Sequence, residues 1–258
     1  MGEWLPAAPA PANHIEGGTA AVNGKVYVFT GFADSSLTPQ NRVDVYNPAT
    51  NVWETALSPR APMPIAASHI QAAAEGHYVW LAGGFVGQHP GQPTQQVWRY
   101  DTVNDLWAAG PPLPQARASG GLVLNGRNLH YISGLIADRN TDQLSHWVLN
   151  LDNLGSGWAS AASMPSPRNH FNGVTIDGII YTIGGQFRHD TNPLDVALVH
   201  AYNPITNTWQ EKASLPSPRS HAEPGLFSLN DRIIVVGGRN DPGGQPTVSS
   251  VAEYNPQL

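Results

Sequence analysis

Four histidines, His14, His69, His170 and His221, each stand a few residues ahead of a short apolar stretch that ends in a small-residue doublet. Counted back from the doublet, His69, Ser119 and His170 share one position, while His14 and His221 lie two residues further out. Glu16 and Glu223 therefore fall level with His69 and His170 in strict register. Gln71 and Asn172 follow one strand period later, and Arg117, Arg168 and Arg219 precede the shared position by two residues, with Ala12 and Ala67 as small counterparts. Three chemistries suit such a set. Neutral imidazoles with a completing carboxylate bind Zn, Cu, Fe or Ni, which makes His14, His69, His170 and His221 candidate metal ligands. Glu16, Glu223 and His170 are candidate acid–base catalysts. Arg117, Arg168 and Arg219, with Arg188 and Arg239 from later loops and the amides of Gln71 and Asn172, can hold a polar or anionic ligand through bidentate hydrogen bonds.

Composition narrows the options. The chain has 258 residues, no cysteine and a net charge of −6, with only 12% charged residues. Thiolate ligands, thiol nucleophiles and disulfides are excluded. The acidic balance argues against a nucleic-acid partner, whose phosphates call for many Lys and Arg contacts. No apolar run reaches the length of a membrane span, and the N-terminus does not read as a signal peptide. The expected protein is soluble, in a compartment the residues leave open, and monomeric. Ser119 has no assignable His–Asp partner, so a serine triad has no support.

The elements that position these residues repeat five times. Trp4, Trp53, Trp107, Trp158 and Trp209 are spaced 49, 54, 51 and 51 residues apart. Each is followed by a doublet: Thr30-Gly31, Gly83-Gly84, Ser133-Gly134, Gly184-Gly185 and Gly237-Gly238. A third apolar segment ends near Tyr46, Tyr100, Tyr202 or Tyr254; the third copy has Trp147–Asn150 and no Tyr. Turns such as Asn47-Pro48 and Asn203-Pro204 then lead to the next Trp, with Pro and Asn supplying the turn geometry. Each unit reads as four short antiparallel strands, which must stack on neighbours to bury both faces.

The doublets, Tyr-Asn-Pro-x-Thr-Asn-x-Trp at 46–53 and 202–209, and Pro-x-Pro-Arg at 165–168 and 216–219 resemble the kelch-repeat family over essentially the whole chain. The resemblance implies an all-β fold, a kelch β-propeller. The chain starts at a fourth-strand Trp and stops just before another is due. The expectation is thus one domain, residues 1–258, with five blades closed by pairing the N-terminal strand with the C-terminal blade; the alternative is five repeats of a longer array. In a propeller the first strands line a central channel. The loops ahead of them share one face with the long loops 32–41, 85–96, 135–145, 186–195 and 239–250, where kelch domains commonly bind ligands. Phe32, Phe85 and Phe187 can add an aromatic wall. If the two extra residues ahead of His14 and His221 are absorbed by bulges, the histidines form the axial ring; otherwise the glutamates join it.

The leading expectation is a binding module that takes a small polar or anionic ligand, or an acidic peptide, at a mouth lined by His and Arg. One alternative is a metal-dependent or acid–base enzyme. Four axial histidines are geometrically similar to those of carotenoid-cleaving oxygenases, which have seven blades and no kelch repeats, and kelch enzymes such as sialate mutarotases and specifier proteins suggest isomerase- or lyase-like chemistry. A second alternative is an adhesion or scaffold propeller, since repetition alone can duplicate His and Arg without a ligand. The Trp residues read as blade packing, and Asp44, His200 and Glu253 share a third-strand position expected to face solvent.

Overall fold

The computed structural model describes residues 6–240 and 247–257. It is all-β. Four sheets are four-stranded antiparallel meanders: Gly18–Val22, Lys25–Phe29, Val43–Asn47 and Val52–Trp53; then Gln71–Glu75, Tyr78–Ala82, Val97–Asp101 and Leu106–Ala109; then Gly121–Asn125, Asn128–Ile132, His146–Asn150 and Trp158–Ser160; then Asn172–Ile176, Ile179–Ile183, Val199–Asn203 and Thr208–Lys212. A fifth sheet has three strands among the described residues, Leu226–Leu229, Arg232–Val236 and Val251–Tyr254. The expected pairing of the Trp4 segment with that sheet falls outside the described residues.

Stacking is dictated by the innermost strands. They are rich in small residues (Ala72, Ala73 and Ala74; Gly121; Gly173), because neighbouring backbones approach closely there. A Cβ on Gly121 would lie 3.0 Å from the Phe171 ring, and one on Gly173 would lie 3.0 Å from Val123. Apolar clusters fill each gap between successive sheets: Phe29, Val45, Ile70 and Leu81 in the first, Trp80, Leu129 and Leu149 in the second, Ile132, Phe171 and Ile180 in the third, Ile183, Val199 and Ile233 in the fourth. First strands from all five sheets line one central channel of about 660 Å³.

The repeated polar residues hold each loop onto its sheet. The indole N–H groups of Trp53, Trp107, Trp158 and Trp209 donate to the carbonyls of Ala8, Ala61, Pro111 and Ala162 in the loops that lead into their sheets. The hydroxyls of Tyr46, Tyr100 and Tyr202 donate to Asn51, Asp105 and Asn207, whose side chains also accept from the N–H of Ala8, Ala61 and Ala162. In the third copy, where Leu149 replaces the Tyr, the Trp clamp alone remains.

The doublets explain their own composition. Their first residue has positive φ but tolerates Thr30 (55°) or Ser133 (60°). The second is always Gly, with φ of 87° to 104°. A Cβ there would come within 2.6 to 2.8 Å of a backbone oxygen in the lead-in loop. Its N–H instead bonds the next sheet's lead-in loop: Gly31 to Ala67, Gly84 to Arg117, Gly134 to Arg168 and Gly185 to Arg219. One glycine thus closes its own sheet's top and fastens the neighbouring sheet to it.

Candidate functional site

At the end of the channel each lead-in loop contributes one residue in the left-handed region: Glu16 (φ 57°), His69 (55°), Ser119 (57°), His170 (48°) and His221 (53°). Such values are strained for side chains of this kind and are retained only where surroundings enforce them. Here the enforcement is a chain of backbone bonds around the axis: His69 N–H to Glu16, Ser119 to His69, His170 to Ser119 and His221 to His170, at 2.7 to 3.3 Å. The five residues are therefore structural equivalents.

This resolves the two-residue ambiguity differently at the two ends of the chain. In the fifth sheet a short 3₁₀ turn at Glu223–Gly225 absorbs the extra residues, so His221 joins the ring and Glu223 lies beyond it. In the first sheet strict register holds. Glu16 takes the ring position, and His14 takes the place that Arg117, Arg168 and Arg219 occupy in other copies; Ala12 is not their counterpart. His14 is corrected as a metal candidate on this ground. It borders the end chamber, but Nδ1 faces the Thr30 carbonyl at 2.7 Å and Nε2 the buried Asp44 carboxylate at 2.8 Å.

The arginines are likewise corrected as anion contacts. Arg117 and Arg168 are fully buried and Arg219 nearly so. Arg168 donates to the Gly184, Ser166, Thr182 and Leu198 carbonyls and to Thr182 Oγ1, and lies against His200; burial lowers its pKa to about 9. Arg117 bonds Ala116, Gln115 and Ser145 and stacks over Trp147. Arg219 bonds the Val235 and Ser250 carbonyls and Ser250 Oγ. Each guanidinium seals the gap between second and third strands of its own sheet. Asp44 and His200 are accordingly buried against His14 and Arg168 rather than exposed to solvent. Arg188 is exposed and contributes its backbone to Asp142 and Asn169. Arg239 lies 3.9 Å from Asp195, near Glu16 and His221.

The ring side chains do converge. His170 is stacked on His221 at 4.1 Å and on His189 at 4.8 Å, and meets His69 edge-on at 5.1 Å. Phe32 and Phe85 wall His69 as expected. Glu16 stands 3.8 Å from His170 Nε2 and 3.5 Å from His221 Nε2. Two hydrogen-bond relays orient these imidazoles. Ser220 Oγ donates to Asp195 at 2.7 Å, so it accepts from His221 Nδ1–H. The Asn169 amide NH₂ donates to Asp142 and to the Arg188 carbonyl, so its oxygen accepts from His170 Nδ1–H. Both histidines are thereby held with the Nε2 lone pair toward Glu16. His69 has Ser68 at Nδ1 (2.9 Å), but Pro39 stands where the corresponding carboxylate would come from.

Burial sets the electrostatics. It holds His69 and His170 well below the ordinary imidazole value and His221 at about 3, so the rings are neutral at pH 7. It raises Glu16 to about 7, opposed by Arg239, and Glu223 to about 8, with Glu16 adding to the rise. Both carboxyls touch channel space yet are surrounded by protein. Glu16, His69, Gln71, His221 and Glu223 line an end chamber of about 240 Å³ that shares Thr19, Glu223 and Pro224 with the main channel. Asn172 is on the channel wall, where its oxygen accepts from Leu122 N–H.

Sequence reasoning missed His189, Arg139, Asp142 and Asp195. All four sit in the long loops, which share no register. Arg139 is buried over Phe85 and ties the Pro90 carbonyl to Asp190 and His189, drawing three loops together beside the cluster. One signal was present: the residues immediately before the ring positions include Ser68, Asn169 and Ser220, three polar side chains in a repeating place.

These sheets and their axial convergence define a β-propeller. The kelch-motif family model matches residues 16–56, 71–114 and 167–216, more than half of the chain, and the chain belongs to the kelch-repeat family. It is 25% identical to a kelch repeat-containing protein of Arabidopsis thaliana over 93% of this chain and 59% of that protein. It is 26% identical to Kelch-like protein 35 of Mus musculus over 98% and 39%, and 27% identical to Kelch-like protein terF of Aspergillus terreus over 92% and 52%. The chain thus spans less than two thirds of each of these relatives. A solved structure titled "Structure of YjhT" superposes with a TM-score of 0.80 at 17% identity, covering 98% of this chain and 85% of the other, which establishes likeness of fold.

Proposed function

We propose that this kelch propeller is a binding module whose end chamber takes a small, neutral, hydroxyl-bearing ligand. The observation that carries this is the joining of a channel to a chamber where Glu16, Glu223, Gln71 and His221 present hydrogen-bonding groups together. At neutral pH a carboxyl with a pKa near 8 is mostly protonated and one near 7 about half so; the protonated form donates a hydrogen bond, while the neutral imidazole Nε2 accepts one. That pairing suits hydroxyl groups. It disfavours the anionic ligand or acidic peptide, because Arg117, Arg168 and Arg219, three of the five arginines that would recognise one, are buried inside the sheets. The kelch-repeat relatives also leave room for a protein partner on the long loops.

The test is a thermal-shift panel of neutral monosaccharides, uronic acids and acidic peptides on chelator-treated protein. The expected result is a rise in melting temperature with a neutral sugar that is lost in Glu223→Ala and His221→Ala. No response to any sugar, or a response unchanged in both variants, overturns the reading.

The same reading includes a single ring of five blades. In its support, Glu16 of the first sheet contacts His221 of the last, and both sheets border one channel. With no native cysteine, spin labels at Ala21→Cys and Ser228→Cys should give one short distance; a long or broad distribution would mean an open arc.

A further inference from the structure

The spacing around Glu16 has a property that a ligand hydrogen bond does not explain. Its carboxylate oxygens lie 3.8 Å from His170 Nε2 and 3.5 Å from His221 Nε2. Both separations exceed an N–H···O hydrogen bond of about 2.7–3.2 Å. They approach the edge of a tetrahedron, about 3.4 Å, on which two ligands stand when each is about 2.1 Å from one ion. His170 is 1% exposed, and its Nε2 is buried without a hydrogen-bond partner. An orphaned imidazole nitrogen aimed at a carboxylate, at that spacing, is a donor set lacking its acceptor.

The outer contacts agree. The Asp142–Asn169–His170 and Asp195–Ser220–His221 relays fix both rings with lone pairs inward, the arrangement that metal-ligating histidines require. Each relay carboxylate comes from the preceding sheet's long loop, so the orientation depends on neighbouring sheets being stacked. A second group, His69, His170 and His189, is equally tight, with donor atoms within 4.8 Å of one another. It is the poorer choice. His189 Nδ1 is already engaged by Asp190 and the Arg139 guanidinium, and among the described residues no carboxylate completes the set.

We propose that Glu16, His170 and His221 bind one divalent transition-metal ion at the axial end of the channel, with its remaining positions open to the end chamber. Two imidazoles and a carboxylate suit borderline ions such as Zn²⁺, Fe²⁺ or Ni²⁺. This deepens the reading of the chamber as a binding site, since the ion would be an anchor for a hydroxyl ligand there, but it requires no organic ligand to be seen.

The test uses the whole chain, stripped by chelator and titrated with Co²⁺ alone, read by calorimetry and by the visible absorption of the bound ion. The expected result is one Co²⁺ per chain with nitrogen-ligand absorption, and a loss of affinity of roughly 100-fold in His170→Ala and in His221→Ala. His14→Ala keeps the stoichiometry. If His170→Ala fails to fold by circular dichroism, His221→Gln at the half-buried chamber wall serves in its place. No Co²⁺ binding, or binding undiminished when His221 is replaced in a folded variant, overturns the proposal. The sugar panel is run on metal-free protein, so either result can fail without the other.

Discussion

His14 and His170 are the same residue type in equivalent loops, two residues apart in register, and they face opposite ways. His14 looks outward into its sheet, where both ring nitrogens meet acceptors, Thr30 O and Asp44. His170 looks to the axis, where Nε2 meets none. The first position is filled elsewhere by Arg117, Arg168 and Arg219, and the second by Glu16, His69, Ser119 and His221. In four of the five sheets the outward position carries a donor that meets acceptors where second and third strands splay; in the second sheet Ala67 stands there. The inward position tolerates variety, because only the axis constrains it. Scaffold and site are thus interleaved within three residues of each loop.

The strongest way to break this comparison is to exchange what each position loses. Arg168→Met removes the side-chain donor from the Thr182, Gly184 and Leu198 carbonyls, of which Leu198 keeps the Gly184 N–H. Urea unfolding should show a loss of about 3 kcal/mol, several unmet acceptors being partly rescued by relaxation. His170→Ala should cost about half of that, and only His170→Ala should lower Co²⁺ affinity. Equal losses of stability and affinity in both variants would mean that the two positions are not functionally separate.

A second prediction concerns pH. Burial depresses His130 to about 3, and His146, which abuts it, to about 4; His200 is also lowered to about 4 and His221 to about 3. Below the ordinary value of 6.5 the unfolded chain binds protons that these folded histidines refuse, so stability falls as pH drops from 6.5 toward 4. Glu16 and Glu223 act with the opposite sign. Raised to about 7 and 8, they hold protons in the folded state that the unfolded chain releases above about 4.5, so their contribution is lost as pH rises through 8. Histidines outnumber glutamates, so the melting temperature of metal-free protein should peak near pH 6.5. Glu223→Gln should flatten the alkaline side and steepen the acid side between about pH 4.5 and 6.5, where Glu223 opposes the histidines; an unchanged alkaline slope would refute the assignment.

The sheets were legible in the sequence because repetition supplies five readings of one pattern, and Trp, Tyr and glycine doublets each have one structural task. The axial position was legible only to within two residues. A left-handed residue at Glu16 or His221 leaves no mark in composition, and the turn at Glu223–Gly225 that shifts the register occurs in one sheet alone. The direction of the arginines was illegible for the same reason. Reversal of the chain at φ near +50° sends residues two apart to opposite sides, against the alternation of a regular strand. His189, Asp142 and Asp195 were beyond reach, since their loops differ in length and only folding brings them to the axis.

Register itself can be tested by making the first sheet resemble the others. His14→Arg places a guanidinium where three other sheets carry one, with Asp44 and Thr30 O as acceptors. If His14 is their counterpart, the change should cost less than about 1 kcal/mol, whereas His14→Ala should cost about 1–2 kcal/mol by stranding a buried carboxylate that keeps only Arg42 and Thr55. A larger loss for Arg than for Ala would place His14 in a different role.

The smallest effect sharpens the inward side. Ser220 bridges Asp195 and His221 across two sheets, and its hydroxyl is the only atom that need change. Ser220→Ala removes the acceptor for His221 Nδ1–H while keeping volume and backbone, so unfolding free energy should shift by about 1 kcal/mol or less. The ring can then adopt the other tautomer, with Nε2 protonated and unable to act as a ligand. Co²⁺ affinity should fall by about 10-fold, the usual consequence of losing an outer partner. Asp195→Asn should match it, because an amide at that place can offer the serine a donor and reverse the relay. A Ser220→Ala variant that binds Co²⁺ as well as the parent would show that stacking of His170 on His221 fixes the ring unaided, and that the cross-sheet relay serves only to fasten the loops.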